Sequence, residues 1–301
     1  MPELPEVETI KNQLSRKLKG KRIKKTIVIL FKIIQAKSKK FFIEKTEGAR
    51  IKKVWRRAKM IIIDLDNDYS LVVHLKLSGQ LFFYLNEEED YGKYTHLIFH
   101  FFDKSVLIFK DLRQFGYFNL CQNKNLEKFF QDKKLGPEPL AKNFTPHLFQ
   151  EKKDKCSSAS VGKGAGFTLN KFKELLAKKK KTRIKPLLMD QSFIAGVGNI
   201  YAQEVCWCAK ILPARVVGTL KDREIKELYC CLIKILKQAI RQKGTTAADD
   251  KYLDVQGEKG GYASELKVYQ RENQKCFRCR GKIKRIVLAG RGTSYCPVCQ
   301  K

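Results

Sequence analysis

The first residues, Met1-Pro2-Glu3, carry the sharpest chemical possibility in the chain. An initiator methionine is normally trimmed when proline follows, which leaves Pro2 with a free secondary amine. An α-amine titrates near about 7.7–8.0, so a useful fraction is nucleophilic at neutral pH. Attack of a secondary amine on a sugar C1′ gives an iminium, a covalent intermediate. Glu3 is the adjacent carboxyl for moving protons at that carbon, and Glu6 is a weaker supporting candidate. Pro5 suits a first helical turn, and Val7, Ile10, Leu14 and Leu18 recur at helical spacing. The amine would then stand at a helix mouth, where N–H groups favour phosphate. An ordinary capped helix explains the same letters, and proximity alone leaves that explanation ahead.

A second cluster lies at the other end. Cys276-x2-Cys279 and Cys296-x2-Cys299 are separated by sixteen residues. That spacing fits a four-thiolate zinc site with no position left for water, so one structural Zn2+ is expected. An iron site or two disulfides need the wrong geometry or the wrong compartment. Ile283–Leu288 and Thr293–Cys296 read as hairpin strands, and Gly290-Arg-Gly292 as their turn. Arg291 would sit at the tip, able to enter a groove or meet a phosphate; a solvated turn residue is the bland alternative. Cys206, Cys208, Cys230 and Cys231 lie in apolar helical contexts and read as core thiols.

The bulk of the chain constrains the partner. Sixty-two Lys and Arg against 31 Asp and Glu leave a net charge of +31 in 301 residues. Solvated lysines account for part of this, but the excess points to a polyanion, nucleic acid before an anionic membrane surface. No apolar run is long enough to span a bilayer and no signal-peptide pattern opens the chain. A reducing cytosol is therefore expected, where patterned cysteines mean metal.

The positioning elements follow from hydrophobic period. Lys25–Ile34, Ile51–Trp55, Met60–Leu65, Ser70–Leu75, Leu81–Tyr84, Thr95–Phe102, Val106–Phe109 and Tyr117–Leu120 read as short strands of an antiparallel sandwich or barrel. Leu135–Leu140 breaks the pattern as a domain link. Glu151–Gly166 reads as a flexible Lys-, Ser- and Gly-rich loop rather than a phosphate loop. Beyond it the period is helical, with a long helix over Asp222–Lys243 and a mobile loop from Thr245 to about Tyr262. The expected class is α+β: an N-terminal antiparallel β-sandwich with flanking helices over 1–135, a helical segment over 136–262, and a finger over 263–301.

Other residues carry weaker signals. Lys59 on a strand can bind phosphate or assist proton transfer. His74-Leu-Lys-Leu-Ser-Gly79 brings a strand to a glycine turn. Asp111-Leu-Arg-Gln-Phe-Gly116 offers an apolar wedge and an arginine to fill the hole left by an extruded nucleotide. Spacing alone favours an exposed lysine and a hairpin with one buried Phe. Lys180 and Lys185 can bind phosphates but read individually as a solvated face. Asn199 caps a helix or meets a phosphate.

Together these stretches resemble the formamidopyrimidine-DNA glycosylases, nearly end to end and in order. The resemblance rests on Pro2–Glu8, Arg56-Arg-Ala-Lys59, Arg113-x-Phe115-Gly116, Ala195-Gly-Val-Gly-Asn-Ile-Tyr-Ala202, Gly244-Thr-Thr-Ala247 and Arg291-Gly-Thr-Ser-Tyr-Cys296. It implies a bifunctional glycosylase and AP lyase of base excision repair, acting on 8-oxoguanine and ring-opened purines in duplex DNA. It implies catalysis by Pro2, Glu3, Lys59 and Arg291. It further implies DNA contacts at His96, Arg113, Lys180, Lys185 and Asn199, with Asn199 in a helix-two-turns-helix element. Leu77, Arg113 and Phe115 would fill the void, Leu77 standing where the family has Met. Lys243 stands where it has Gly. A monomeric, bacterial, cytoplasmic enzyme is implied. The rivals are an endonuclease VIII-like glycosylase for oxidised pyrimidines, a non-catalytic zinc-finger protein that recognises damage, and a general nucleic-acid-coating protein.

Overall fold

In the computed structural model, which describes residues 1–140, 166–247 and 252–301, the helical spacing after Pro5 is realised as α1, Leu4–Leu18. Its apolar stripe is buried completely or nearly so: Val7, Ile10, Leu14 and Leu18. Burial of each such side chain contributes roughly 1.5–3 kcal/mol relative to exposure. The strands follow as β1 (Ile23–Val28), β2 (Ile34–Gln35), β3 (Ile51–Arg57), β4 (Met60–Leu65), β5 (Tyr69–His74), β6 (Gly79–Tyr84), β7 (Thr95–Phe101), β8 (Val106–Asp111) and β9 (Tyr117–Gln122). They form a four-stranded sheet, β1-β7-β8-β6, and a five-stranded sheet, β2-β9-β5-β4-β3. One core joins the stripe of α1 to Ile61, Ile63 and Val73 of the second sheet and Leu97, Phe99 and Phe109 of the first. The architecture is the expected β-sandwich.

The structure departs from the sequence reading in several ways. Lys25–Ile34 is not one strand; β1 ends at Val28, and β2 pairs parallel to β9, so the sandwich is not wholly antiparallel. Two short helices were not anticipated: α2 (Lys39–Thr46), capped where Ser38 Oγ accepts from the Phe41 N–H at 3.0 Å, and α3 (Leu126–Asp132). Residues 151–165 lie outside the described residues.

The helical part contains α4 (Leu169–Ala177), α5 (Ile184–Met189), α6 (Asn199–Cys208) and α7 (Asp222–Arg241). Phe167, Phe172 and Tyr229 pack ring on ring, and the Tyr229 hydroxyl donates to the Phe167 carbonyl at 2.9 Å. Packing of α6 on α7 brings Cys208 and Cys231 to a Cα–Cα distance of 5.8 Å, where they form a disulfide. That corrects the expectation of reduced core thiols for this pair; Cys206 remains a buried thiol, pushed up to about 12 by burial. A hairpin follows, β10 (Lys284–Leu288) and β11 (Arg291–Tyr295). Its turn is Ala289-Gly290, both at positive φ, so Arg291 opens β11 rather than sitting mid-turn.

The chain divides into two compact units, residues 1–133 with 242–263, and residues 134–241 with 264–301. The consecutive segments read from sequence, 136–262 then 263–301, do not contain this return to the first unit. Its cause is packing. Tyr252 and Val255 join the sandwich core, the Phe83 N–H donates to the Val255 carbonyl at 2.9 Å, and Gln13 donates to Asp254 at 2.6 Å. The described part of the loop expected to be mobile is thus anchored.

Within the second unit, buried Glu204 on α6 accepts from the backbone N–H groups of Lys267, Val268 and Tyr269 at 2.9, 3.0 and 2.9 Å. It fixes the segment that leads into the hairpin. Burial pushes its carboxyl up, against the pull of these donors. Each buried donor left without a partner costs about 1–3 kcal/mol. Glu204→Ala is therefore expected to lower stability by roughly 3 kcal/mol or more in urea unfolding; a loss below about 1 kcal/mol would contradict this role.

Candidate active site and nucleic-acid interface

In the first unit, Pro2 and Glu3 are buried at the start of α1. Glu3 is the N-cap, and its backbone N–H donates to Glu6 Oε2 at 2.8 Å. The other Glu6 oxygen accepts from the Thr245 N–H at 2.7 Å. One buried carboxylate thus ties the chain start to the loop after α7. Gly244 is required there: φ is +83°, and a Cβ would come within 2.7 Å of Glu6 Oε1. Glu6 is a positioning group for Glu3 in this geometry.

Lys59 lies in the tight β3–β4 turn and is 5% exposed. The sequence Arg56-Arg-Ala-Lys folds this way because Arg56 is spoken for twice. Its Nε donates to Glu8 of α1 at 2.6 Å, and its Nη1 donates to the Ala58 carbonyl at 2.8 Å. The turn is thereby held against the first turns of α1. His74, opposite Met60 in the β4–β5 register, lies in the field of Lys59. Burial first, then Lys76, Lys59 and Lys133, push its imidazole down to about 3. Nδ1 accepts the Lys76 N–H at 3.0 Å, which places the ring proton on Nε2. His74 is a neutral N–H donor beside a lysine, a role the sequence reading left unassigned.

The 111–116 loop is built as a rigid base with an exposed tip. Buried Asp111 accepts from Ser78 Oγ and from the N–H groups of Arg113 and Gly116 at 3.1 and 2.7 Å. This couples the loop to the 75–79 turn, where Leu77 is half-buried. Gly116 fits because a Cβ would meet Phe109 at 2.7 Å. Leu112, Arg113 and Phe115 stay exposed, with the Arg113 guanidinium 5.2 Å from the Phe115 ring centroid. A planar cation and an aromatic ring held out together suit insertion into a base stack. His96 is buried and its Nε2 engages the Asp111 carbonyl at 2.9 Å, so it braces the loop from within.

In the second unit, Gln191 staples the turn between α5 and α6, donating to the Met189 and Val197 carbonyls and accepting from the Gly196 N–H. Gly196 has a φ of +104°. Asn199 begins α6, but the N-cap is Gly198 and no side chain caps the helix, which removes the simple capping account of Asn199. Its Oδ1 instead accepts from Lys185 Nζ at 2.6 Å, and that ammonium also donates to Thr293 of β11 at 3.0 Å. Lys185 is 0% exposed. In this geometry the side chain orients Asn199 and holds the hairpin. Lys180 and Arg291 are exposed, as expected.

The four predicted cysteines converge. Their sulfur atoms all lie within 4.8 Å of one another. Four sulfurs at about 2.3 Å from one zinc stand roughly 3.8 Å apart in a tetrahedron, and the Cys276–Cys299 distance is 3.8 Å. The donor set fits one structural zinc ion, held by Cys276, Cys279, Cys296 and Cys299. The Trp207 indole N–H and the Arg278 backbone N–H both donate to Cys276 Sγ at 3.4 Å, a backing that favours thiolate.

Two outcomes follow from these geometries. His74 refuses in the native state a proton that the unfolded chain accepts between pH about 3 and 6.5. Stability should rise with pH across that window and be complete above it. His74→Gln should flatten the rise in urea unfolding; an unchanged slope would count against it. Chelation of the zinc should loosen the hairpin and expose Trp207 to water, seen as a red shift in its fluorescence that added zinc reverses. A spectrum indifferent to chelator would contradict the assignment.

Comparison with known proteins agrees with this layout. The formamidopyrimidine-DNA glycosylase N-terminal domain family matches residues 1–118, its H2TH domain matches 163–250, and the zinc finger found in FPG and IleRS matches 273–301. A formamidopyrimidine-DNA glycosylase of Pelotomaculum thermopropionicum is 38% identical over 301 residues, covering 100% of this chain and 99% of its own. One from Listeria monocytogenes is 36% identical, with both chains covered completely. Among solved structures, the Lactococcus lactis Fpg bound to abasic-site DNA superposes with a TM-score of 0.82 at 32% identity over 99% of each chain. The same protein bound to N7-benzyl-Fapy-dG DNA gives 0.83 at 32% identity over 100% of each. With all three domain families in order and full-length relatives above a third identity, the chain belongs to the formamidopyrimidine-DNA glycosylase family.

Proposed function

We propose that this protein is a bifunctional DNA glycosylase and AP lyase that removes oxidised purines, 8-oxoguanine and formamidopyrimidines, from duplex DNA in the bacterial cytoplasm. The observation that carries the reading is the placement of Pro2 and Glu3. They are buried at the start of a helix whose first turns are locked by Glu6 and Glu8 to the loop after α7 and to the turn bearing Lys59. Such locking is what a nucleophile at a chain terminus needs, because a loose terminus would lose orientation.

Once Met1 is removed, the Pro2 nitrogen lone pair attacks C1′ of the extruded nucleotide and the bond from C1′ to the base breaks. The departing base takes up the proton that the Pro2 nitrogen gives up. Glu3 protonates the sugar ring oxygen as the ring opens, giving an iminium on Pro2. Abstraction of a C2′ proton expels the 3′ phosphate, and a second elimination expels the 5′ phosphate, leaving a gap with phosphate ends. Lys59, with the neutral His74 N–H beside it, holds backbone phosphate from the first unit. Asn199, oriented by Lys185, and the exposed Lys180 and Arg291 take phosphates from the second. Arg113 and Phe115, with Leu77, fill the space the nucleotide vacates. The zinc ion maintains the hairpin that bears Arg291 and takes no part in bond making. The protein works as a monomer.

A broader substrate range has one specific support: the Lactococcus lactis relative has also been solved with DNA containing an oxidised pyrimidine. Parallel incubation with 8-oxoguanine and thymine glycol duplexes ranks the two lesion classes. Borohydride reduction on an 8-oxoguanine duplex tests the nucleophile. The covalent adduct should form with the processed protein and vanish in Pro2→Gly or when the terminus is blocked; an undiminished adduct would falsify the role of Pro2.

A further inference from the structure

A basic cavity of about 610 Å³ opens in the first unit at the opposite end of α1 from Pro2. Fifteen helical residues at ~1.5 Å each put it roughly 20 Å from the chain start. Its lining holds five cations, Lys17, Lys19, Lys21, Arg22 and Arg50, against one carboxylate, Asp103. Lys21 is already paired with Asp103. The C-terminal carbonyls of α1 give Lys17 and Lys19 a local reason to be there. They give none for the two arginines, which precede β1 and β3.

Arg22 and Arg50 face each other across an antiparallel bridge, an arrangement in which like charges repel. Each is tethered by a single carbonyl: Arg22 Nε donates to Gly48 at 2.7 Å, and Arg50 Nη1 donates to Gly20 at 3.0 Å. The remaining donors of both forks meet no acceptor among the described residues. Two pre-oriented guanidinium edges with unspent donors match one tetrahedral oxyanion, which also removes their repulsion. At the lip stands Phe102, 62% exposed, with the Arg22 guanidinium 5.9 Å from its ring centroid. An exposed aromatic beside a phosphate-matching pair is the pattern of a nucleotide platform: charge for the backbone, a ring for the base.

We propose that this cavity is a second nucleic-acid site, in which Arg22 and Arg50 hold a nucleotide phosphate and Phe102 stacks on its base. Nothing in the arrangement selects sequence, and an acidic peptide would leave Phe102 without a partner. The site is separate from the lesion chemistry and does not depend on it.

The test uses the full-length, zinc-loaded protein saturated with a duplex carrying a non-cleavable abasic analogue. Labelled decathymidylate is then added and followed by anisotropy. It should bind the preloaded protein, and the double variant Arg22→Ala/Arg50→Ala should weaken that step by about tenfold or more. Phe102→Ala, an exposed position that stays informative if the arginine variant misfolds, should weaken it about fivefold. Duplex affinity should change by less than about twofold in both, since neither variant touches groups that hold the lesion strand. Competition by thymidine monophosphate as strong as that of unlabelled decathymidylate identifies a free nucleotide as the source. Competition by the oligomer alone identifies a strand, and both results support the site. Absence of binding to the preloaded protein, indifference to both variants, or displacement by polyglutamate as strong as that by unlabelled decathymidylate would overturn it.

Discussion

The ion pair between Glu8 and Arg56 is the constraint on which the first unit's site depends. Its 2.6 Å contact joins two side chains that are each about 5% exposed. Charges so far from water are costly unless closely paired, and losing one partner of such a pair typically costs about 3–5 kcal/mol. The pair does more than hold a helix to a sheet. One end is just over one turn into α1, a few residues from Pro2 and Glu3; the other is three residues before Lys59. Lys11 adds a second cation at Glu8, 2.6 Å away. The groups assigned to chemistry are therefore spaced by a rigid link that none of them forms directly.

A similar division of labour recurs throughout. Side chains that face solvent rest on buried polar groups that do not. Arg113 and Phe115 are displayed by Asp111, His96 and Ser78. Asn199 is oriented by Lys185. Arg291 opens a strand whose neighbours are held by Gln203, which accepts from the Ser294 N–H at 2.6 Å and donates to the Gly292 carbonyl at 3.2 Å. Fixing the supporting atoms in advance lowers the reorganisation needed when a charged strand arrives.

This division also explains what could be read from the letters. Helix α1, the strands from β3 to β9 and the cysteine cluster follow from local spacing, and family motifs marked the exposed or reactive positions. The supporting groups were much less legible because their partners lie far along the chain. Glu204 bonds residues 63 to 65 positions away, and Lys185 reaches Thr293 across 108. The burial of His96 and Lys185 is not legible because a His or Lys in a basic chain has no local mark of burial. Cys208 and Cys231 looked like separate core thiols for the same reason: only the packing of α6 on α7 brings them together.

The return of residues 242–263 to the first unit has a consequence for biosynthesis. Tyr252 and Val255 are core residues of the sandwich, yet more than a hundred residues of the second unit are translated before them. The sandwich strands emerging from a ribosome therefore lack part of their own interior, and the sheets must wait, incompletely sealed, until residues 252–255 have been made. The order of synthesis and the order of completion are inverted in this molecule: the unit begun first is closed only late, by a segment that comes after most of its neighbour.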